Sequence, residues 1–537
     1  MRLRLPTASD GLILLVALHV VVNIIWVKFN NAPPAWDQAD HTFRTLQFSH
    51  FFTDLFGGQF NLGELISAFT SPYGPLVKMM DGLILAIFQP DIKLAQMMGT
   101  VFFVGAITGV YFLTKKLYEN EGIAFLSALI FSFYQLIYDN SRWLLVDIPM
   151  LCFIIFAWYF LLRLKDEIGS NRRVLVGLTV VSAAAILTKV QALIYLLPMY
   201  IYVGIYFLRT KKIGGFRSLL GSALTSGAVT LLWIVPSIEN IRAYFFNAST
   251  AEVGDLVNLA DPATWFFYLK IFINHQITFM GFAFFVVALC VYIFSNTKHK
   301  FLVFGHIAYI YVLFTLFNNK DPRFVFPLLP WTAIVMAVGI GKLYLKWRSL
   351  AVGMIIAYVG MVIVLFFNLS FGGPLKQLPS PYIVIPHFGD LTIFNVSEFP
   401  VHQLDQHYWP NEQMIKDLGQ IAAGDPLMLL FLPNFDGLND NNTRMYLAQQ
   451  RLGNIQLVRA GGRLRFDSQS QADAYGSGFE YVLYTDSEIG VSYQIDREAF
   501  VQLQRYVKGE IEQGRTERLK EYKLPTGQVM QILRLLK

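Results

Sequence analysis

Residues 11–29, GLILLVALHVVVNIIWVKF, run through Asn30 into Asn31-Ala32-Pro33-Pro34-Ala35-Trp36-Asp37-Gln38-Ala39-Asp40-His41-Thr42-Phe43-Arg44. The first stretch is apolar and long enough to cross a bilayer as a helix. It has no small-residue cleavage site and exceeds the apolar part of a secretory signal, so it reads as a retained membrane helix. Pro33 and Pro34 end it, and Trp36 follows at the depth where aromatic side chains mark a membrane interface. Beside that Trp stand two carboxylates, Asp37 and Asp40. Carboxylates so near a bilayer are costly and point to use. Asp37 therefore reads as a catalytic base around which later loops gather.

Composition extends the membrane reading to most of the chain. Hydrophobic residues make up 55%, charged residues only 15%, and mean hydropathy is +0.46, which together indicate a polytopic membrane protein. The net charge of +6 does not indicate nucleic-acid binding, because Lys and Arg fall in short clusters between apolar runs. Cys152 and Cys290 both lie inside apolar segments and read as small buried hydrophobes, so no disulfide is expected.

Further spans are expected at 94–114, 123–139, 144–162, 174–188, 190–208, 218–238, 276–295, 301–318, 324–341 and 350–371. With the first, that makes about eleven transmembrane helices. Basic residues set the orientation. Arg2 and Arg4, Lys115 and Lys116, Arg163 to Arg173, Arg209 to Arg217, Lys298 and Lys300, and Lys342 to Arg348 occupy every second connection. These connections read as cytoplasmic, with the N-terminus inside and the C-terminus outside. Residues 75–88 are apolar but short and carry Lys78 and Asp81, so they read as an interfacial helix within a long outer loop, 30–93. A second long outer loop is expected at 239–275.

Past residue 371 the composition changes. Pro374, Pro379, Pro381 and Pro386 cluster, and Asp405, Asn434, Asp436, Asn439 and Asp440 follow. Strands are expected at 426–432, 454–459 and 479–485, helices at 440–451 and 497–508, and a hairpin around Gly527. Residues 1–371 thus read as the membrane domain and 372–537 as a small extracytoplasmic α/β domain.

With this orientation the loops after odd-numbered helices share the outer face, and they hold the unusual polar residues. Asp139-Asn140-Ser141-Arg142-Trp143 precedes Asp147, Thr188-Lys189-Val190-Gln191 joins two helices, and the 239–275 loop ends on Asn274 and His275. Asn318-Asn319-Lys320-Asp321-Pro322-Arg323 follows the ninth helix. Lys189 is the most informative cation: a helical hairpin needs no lysine at its tip, and a charge there calls for a partner. A snorkelling interfacial lysine is the plainer reading. Arg323 at a helix start suits a phosphate on a lipid in the same leaflet, against a plain ion pair with Asp321. Asp147 is open to reading as an ordinary N-terminal helix carboxylate. His41 and His275 read as polar contacts, and His402-x-x-Asp405-x-His407 has only weak metal-ligand spacing.

The set of motifs resembles the GT-C glycosyltransferases of the protein mannosyltransferase and lipid A aminoarabinose transferase superfamily. Bacterial family-39-like members with a C-terminal extracytoplasmic domain are the nearest in pattern. Trp36-Asp37-Gln38-Ala39-Asp40-His41, Ser71-Pro72-Tyr73-Gly74-Pro75-Leu76, Ser141 to Asp147, Leu187-Thr188-Lys189 and Arg323 to Pro330 carry the resemblance over about residues 1–345. It implies an inverting enzyme of a bacterial inner membrane that moves a sugar from a polyprenyl-phosphate donor to an acceptor hydroxyl on protein, lipid or glycan. In that reading Asp37, Asp147 and Asp40 are catalytic, and Lys189, Arg323, Arg142 and Lys320 hold the donor phosphate. Trp36, His41, Tyr73 and His275 contact substrate. No cofactor is required, although Asp37, Asp40 and Asp147 have the chemistry to hold a divalent cation. Gln38 departs from the second acid many relatives carry after the first. The rival is a transporter or flippase of lipid-linked sugars, for which internal repeats and midplane polar residues are expected. Here the charges cluster at the outer ends.

Overall fold

A computed structural model of the chain describes residues 7–167, 171–249, 258–374, 382–385, 389–392, 402–459, 465–486 and 497–536. Arg2, Arg4, Pro379, Pro381 and Pro386, which entered the sequence reading, lie outside them. In chain order the helices begin with α1 (Ala8–Phe29), α2 (Trp36–Phe56), α3 (Leu62–Phe69), α4 (Leu76–Phe88) and α5 (Ile92–Tyr118). There follow α6 (Glu121–Ser132), α7 (Gln135–Asn140), α8 (Asp147–Asp166), α9 (Arg172–Thr188), α10 (Ala192–Arg209) and α11 (Ile213–Ser249). After α12 (Pro262–Phe272) a π-turn, Ile273–Ile277, leads into α13 (Thr278–Phe294) and then α14 (Lys300–Thr315). A 3₁₀ segment, Pro322–Leu328, opens α15 (Leu329–Lys346), and α16 (Arg348–Phe371) follows. The remainder is β1 (Tyr382–Ile385), β2 (Gly389–Thr392), α17 (Asn411–Ala422), β3 (Leu427–Phe431), α18 (Asp440–Gln449), β4 (Ile455–Arg459), α19 (Gln469–Gly476), β5 (Tyr481–Thr485), α20 (Arg497–Glu512), β6 (Thr516–Lys523) and β7 (Val529–Leu535).

Among the described residues, eight helical stretches are long and apolar enough to cross a membrane. The shorter α6 and α14 and the 17-residue α9 occupy the other three positions where spans are expected. Local chemistry explains the departures. The span expected over 123–139 breaks after Ser132 and resumes as the short α7. Pro322, Pro327 and Pro330 crowd the start of the last but one span, so it opens as a 3₁₀ segment rather than a full α-turn. Three helices, not one, lie in the 30–93 stretch. The unforeseen α2 buries a mixed polar and apolar face: Ala39, Thr42, Leu46 and Ser49 recur every three or four residues and are buried.

Packing divides the chain into two compact units. The first comprises Met1–Lys28, Ile66–Val77 and Gln96–Leu404. Its centre is α15, apolar on every side and buried without a break from Leu329 to Ile340, as a helix surrounded by other helices must be. Helices α6 and α13 pack on α15, and α8 packs on α9. In the same unit β1 and β2 form an antiparallel hairpin, and the Asn274 side-chain amide donates to the Asp390 carbonyl at 2.9 Å.

The second unit comprises Phe29–Leu65, Lys78–Ala95 and Asp405–Lys537. Its sheet has the order β4-β3-β5-β7-β6, with β4, β3 and β5 parallel and β7 and β6 antiparallel additions. Each expected C-terminal strand, both expected helices and the hairpin around Gly527 are present. Leu430, Val482 and Leu533 of the sheet meet Leu503 and Val507 of α20 in one apolar cluster. Helix α2 lies along α18 and is held near both ends. The Trp36 indole N–H donates to Asp436 at 2.8 Å, the Asn441 amide donates to the Trp36 carbonyl at 3.2 Å, and Arg451 pairs with Asp54 at 3.1 Å.

Candidate active site

In the first unit three segments distant in sequence bring charges together. Asp147 is the first residue of α8, Lys189 lies in the turn between α9 and α10, and Arg323 follows Pro322 at the start of the 3₁₀ segment. Lys189 Nζ donates to Asp147 Oδ1 at 2.8 Å, with both side chains almost wholly buried. Arg323 Nη1 stands 3.8 Å from Asp147 Oδ2, and its Nη2 and Nε hold Asp321 at 2.7 and 3.1 Å. Asp321 also accepts from the Arg323 backbone N–H at 2.8 Å, capping that segment. Burial works against the Lys189 ammonium, but the Asp147 carboxylate outweighs it and holds its pKa above the ordinary lysine value. Asp321 is likewise desolvated, yet Arg323 and Lys189 hold its carboxyl below the usual range.

Neighbouring elements fix the cluster. Tyr195 of α10 donates its hydroxyl to the Phe324 carbonyl at 2.8 Å and so anchors the arginine's segment. The rings of Tyr73 and Phe324 stand 5.9 and 5.7 Å from Lys189 Nζ, within cation–π range. Tyr73 in turn donates to the Tyr244 hydroxyl at 3.1 Å, and the Trp233 indole donates to the Ser71 carbonyl at 3.2 Å. Gly74 allows this Ser71–Leu76 segment to lie against the end of α9. A Cβ there would sit 1.8 Å from the Leu187 carbonyl oxygen, two residues before Lys189.

Of the residues expected at the site, Asp147, Lys189, Arg323 and Tyr73 are brought together. Arg142 has a separate setting. It is fully buried, its guanidinium lies 5.2–5.4 Å from the rings of Trp26, Tyr138 and Phe366, and its Nε donates to Asn23 at 3.0 Å. Its Nη1 and Nη2 hydrogen-bond no described residue. Lys320 donates to the carbonyls of Phe314 and Thr315, closing the C-terminal end of α14, and its burial lowers its pKa to about 8. His275 lies half-buried in the π-turn after α12.

Asp37, Asp40, Trp36 and His41 belong to the second unit, all in the first two turns of α2. Asp37 sits in the first turn, where the helix dipole favours a carboxylate. Asp40 pairs with Arg44 one turn on, at 3.1 Å, and His41 is buried. Gln38, the departure from the acidic pattern, accepts the Ala35 backbone N–H at 3.3 Å and caps the helix.

Several partners escaped the sequence reading. Asp139 accepts both the backbone N–H of His402 and its ring Nδ1, at 2.8 Å each. His407 instead pairs with Asp405 at 2.6 Å, so the spaced histidines have different carboxylates. The pairing of Asp147 with Lys189 had one sequence signal, the need of a buried lysine for a counter-charge, but nothing in the spacing of residues 147 and 189 identifies the partner.

A polytopic helical membrane protein with this architecture and a small C-terminal sheet domain has the fold of the GT-C glycosyltransferases. Residues 72–238 match the family model of dolichyl-phosphate-mannose-protein mannosyltransferases, a stretch that holds Tyr73, Asp147 and Lys189. The structure is similar to that of ArnT from Cupriavidus metallidurans bound to undecaprenyl phosphate, with a TM-score of 0.59, 13% identity and 98% of each chain covered. It is also similar to the archaeal oligosaccharyltransferase AglB from Archaeoglobus fulgidus in complex with an inhibitory peptide and a dolichol-phosphate (TM-score 0.50, 11% identity, 97% of this chain and 74% of that one). The mycobacterial arabinofuranosyltransferase AftD aligns with a TM-score of 0.54 and 11% identity, over 97% of this chain and 40% of its own. No curated protein matches the chain.

Proposed function

We propose that the protein is an inverting glycosyltransferase that moves a sugar from a polyprenyl-phosphate donor to an acceptor hydroxyl at the outer face of a bacterial inner membrane. The observation that carries this reading is the buried Asp147–Lys189 pair with Arg323 beside it, on a GT-C fold. Buried charges are costly, so three segments that converge to bury them serve chemistry more readily than stability. The ligands named with two similar structures, undecaprenyl phosphate and dolichol-phosphate, support a lipid phosphate as the leaving group.

In this mechanism the acceptor oxygen attacks the anomeric carbon of the sugar. Its proton passes to the Asp37 carboxylate as the new C–O bond forms. The bond from the anomeric carbon to the phosphate oxygen breaks on the opposite side, and its electron pair leaves with the lipid phosphate. One displacement inverts the centre. Lys189, kept protonated by Asp147, and Arg323 stabilise the charge that develops on the phosphate. Asp147 holds the lysine in place, Asp40 orients Arg44, and Tyr73 lies over the lysine. The acceptor is a hydroxyl of a protein, lipid or glycan.

The test uses the full chain in nanodiscs with a panel of undecaprenyl-phosphate sugars and an envelope extract as acceptor, reading release of undecaprenyl phosphate. Asp37→Asn is expected to stay folded, within about 1 kcal/mol of wild-type stability, and to lose transfer by about 100-fold or more, the usual contribution of a general base. Turnover at the wild-type rate would remove Asp37 from that role.

A further inference from the structure

A second feature of the first unit has no part in this chemistry. Helices α10 and α11 form a hairpin whose outer surface carries an apolar groove of about 300 Å³, lined by Tyr200, Gly204, Leu208, Phe216, Leu219 and Ala223. The α10 residues recur every four positions and those of α11 every three or four, so the groove follows the seam between the helices. From Tyr200 to Leu208 it is about 12 Å long. Its one polar wall residue turns its hydroxyl away, because Tyr200 bonds Ser182 at 2.9 Å. Gly204 makes the hollow. A Cβ there would meet Leu219 and Phe216 at 3.6 and 3.8 Å, ordinary contact, so a larger side chain fills the space without displacing backbone.

The groove ends at a concentration of positive charge. At Leu208 and Phe216 the chain turns through Arg209, Lys211 and Lys212, with Arg217 one turn into α11. Thr179 of α9 donates to Ser222 at 2.9 Å and accepts from Ser226, so α9 and α11 run side by side. Arg172 and Arg173, which start α9, are therefore at the same end. Between Glu167 and Glu239 the sequence contains no Asp or Glu. The nearest carboxylates before this interval are engaged, Glu167 with Arg163 and Asp166 with Lys116. Lys189 is at the opposite end of α9, 17 residues and about 25 Å away. The groove is thus distinct from the candidate active site.

We infer that the α10–α11 groove binds an anionic phospholipid of the surrounding bilayer, one acyl chain in the hollow and the phosphate among Arg209, Lys211, Lys212 and Arg217. An apolar slot alone accepts any acyl chain. Four cations that form no ion pair among the described residues stand at its mouth and select the negative headgroup. The positive-inside pattern places this end at the cytoplasmic leaflet, whose anionic lipids supply the ligand.

The test is native mass spectrometry of the full chain titrated with phosphatidylglycerol or phosphatidylcholine of matched chains. Wild type is expected to prefer phosphatidylglycerol at least tenfold, since each cation near a headgroup phosphate is worth a factor of about five. Replacing Arg209, Lys211, Lys212 and Arg217 by Gln is expected to abolish the preference. Gly204→Leu is expected to weaken retention of both lipids at unchanged charge. Millimolar inorganic phosphate is expected not to displace the lipid. Equal retention of both lipids by wild type overturns the inference. So does a Gln variant that still prefers phosphatidylglycerol, a Gly204→Leu protein that binds as wild type does, or displacement by inorganic phosphate.

Discussion

Removing Lys189 alone should hurt the protein more than removing Lys189 and Asp147 together. In Lys189→Met the Asp147 carboxylate stays buried and loses its 2.8 Å partner. Breaking one side of a buried ion pair costs about 3–5 kcal/mol. Arg323 Nη1, 3.8 Å from the other oxygen, recovers part of that loss. An opposite charge at that range is worth about 4 kcal/mol before desolvation at an effective dielectric of 20. The guanidinium is already held by Asp321 at 2.7 Å, so only a fraction of this is available. A net loss of about 2–4 kcal/mol is expected for Lys189→Met. In Asp147→Asn the ammonium stays between the rings of Tyr73 and Phe324, which return about 1–2 kcal/mol, and it faces Arg323 with only Asp321 left to offset the two cations. The loss there is about 2–3 kcal/mol. The double variant replaces a buried pair with two uncharged side chains of similar size and should lie within about 1 kcal/mol of wild type. SDS-induced unfolding of the four proteins in mixed micelles measures the coupling. If the single effects add to within about 0.5 kcal/mol, the two groups are independent and the cluster is not a coupled unit.

Gly74→Ala should disturb the same cluster from outside, because its Cβ would overlap the Leu187 carbonyl. A loss of about 1–3 kcal/mol from overpacking is expected as the end of α9 moves Lys189, together with weaker binding of undecaprenyl phosphate if the proposed donor is right. A variant with the wild-type melting point and affinity would show that the close approach does not matter. Lys78 of α4 gives a pH signature. Burial, reinforced by Arg44, pulls its pKa down to about 7 from 10.5, against the pull of Asp40. Below pH 7 the lysine is charged in both folded and unfolded chains, and the fold bears the whole cost of burying that charge. Between pH 7 and 10.5 the folded form sheds the proton first, so stability rises with pH across that window. Lys78→Met should be more stable than wild type at pH 6, with the difference shrinking by pH 9. A difference between the two proteins that stays constant from pH 6 to 9 would contradict this.

Much of the architecture was legible because bilayers impose length and composition on the segments that cross them. The strands at 427–431, 455–459 and 481–485 were legible for a related reason, as apolar runs bounded by turn residues. Helix α2 was not, because a segment with Asp37, Asp40, Arg44 and His50 fails any test of hydropathy, and its buried face mixes His41, Thr42, Thr45 and Ser49 with apolar residues. Arg142 and Lys189 illustrate the limit for single residues. Both are cations in apolar surroundings, and their sequence contexts do not tell them apart. One is enclosed by Trp26, Tyr138 and Phe366, and the other reaches a carboxylate.

From the sequence by itself came the membrane-spanning class, the C-terminal α/β domain and the identity of the unusual charges, since each of these follows from local composition and period. Only the tertiary structure decided which distant groups meet: Lys189 with Asp147, Asp139 with His402, and Trp36 with Asp436. The physical reason is range. Hydropathy acts on a segment and is written into it, whereas an ion pair acts over a few ångströms between residues tens to hundreds of positions apart, and the chain's path through space settles which of them come that close.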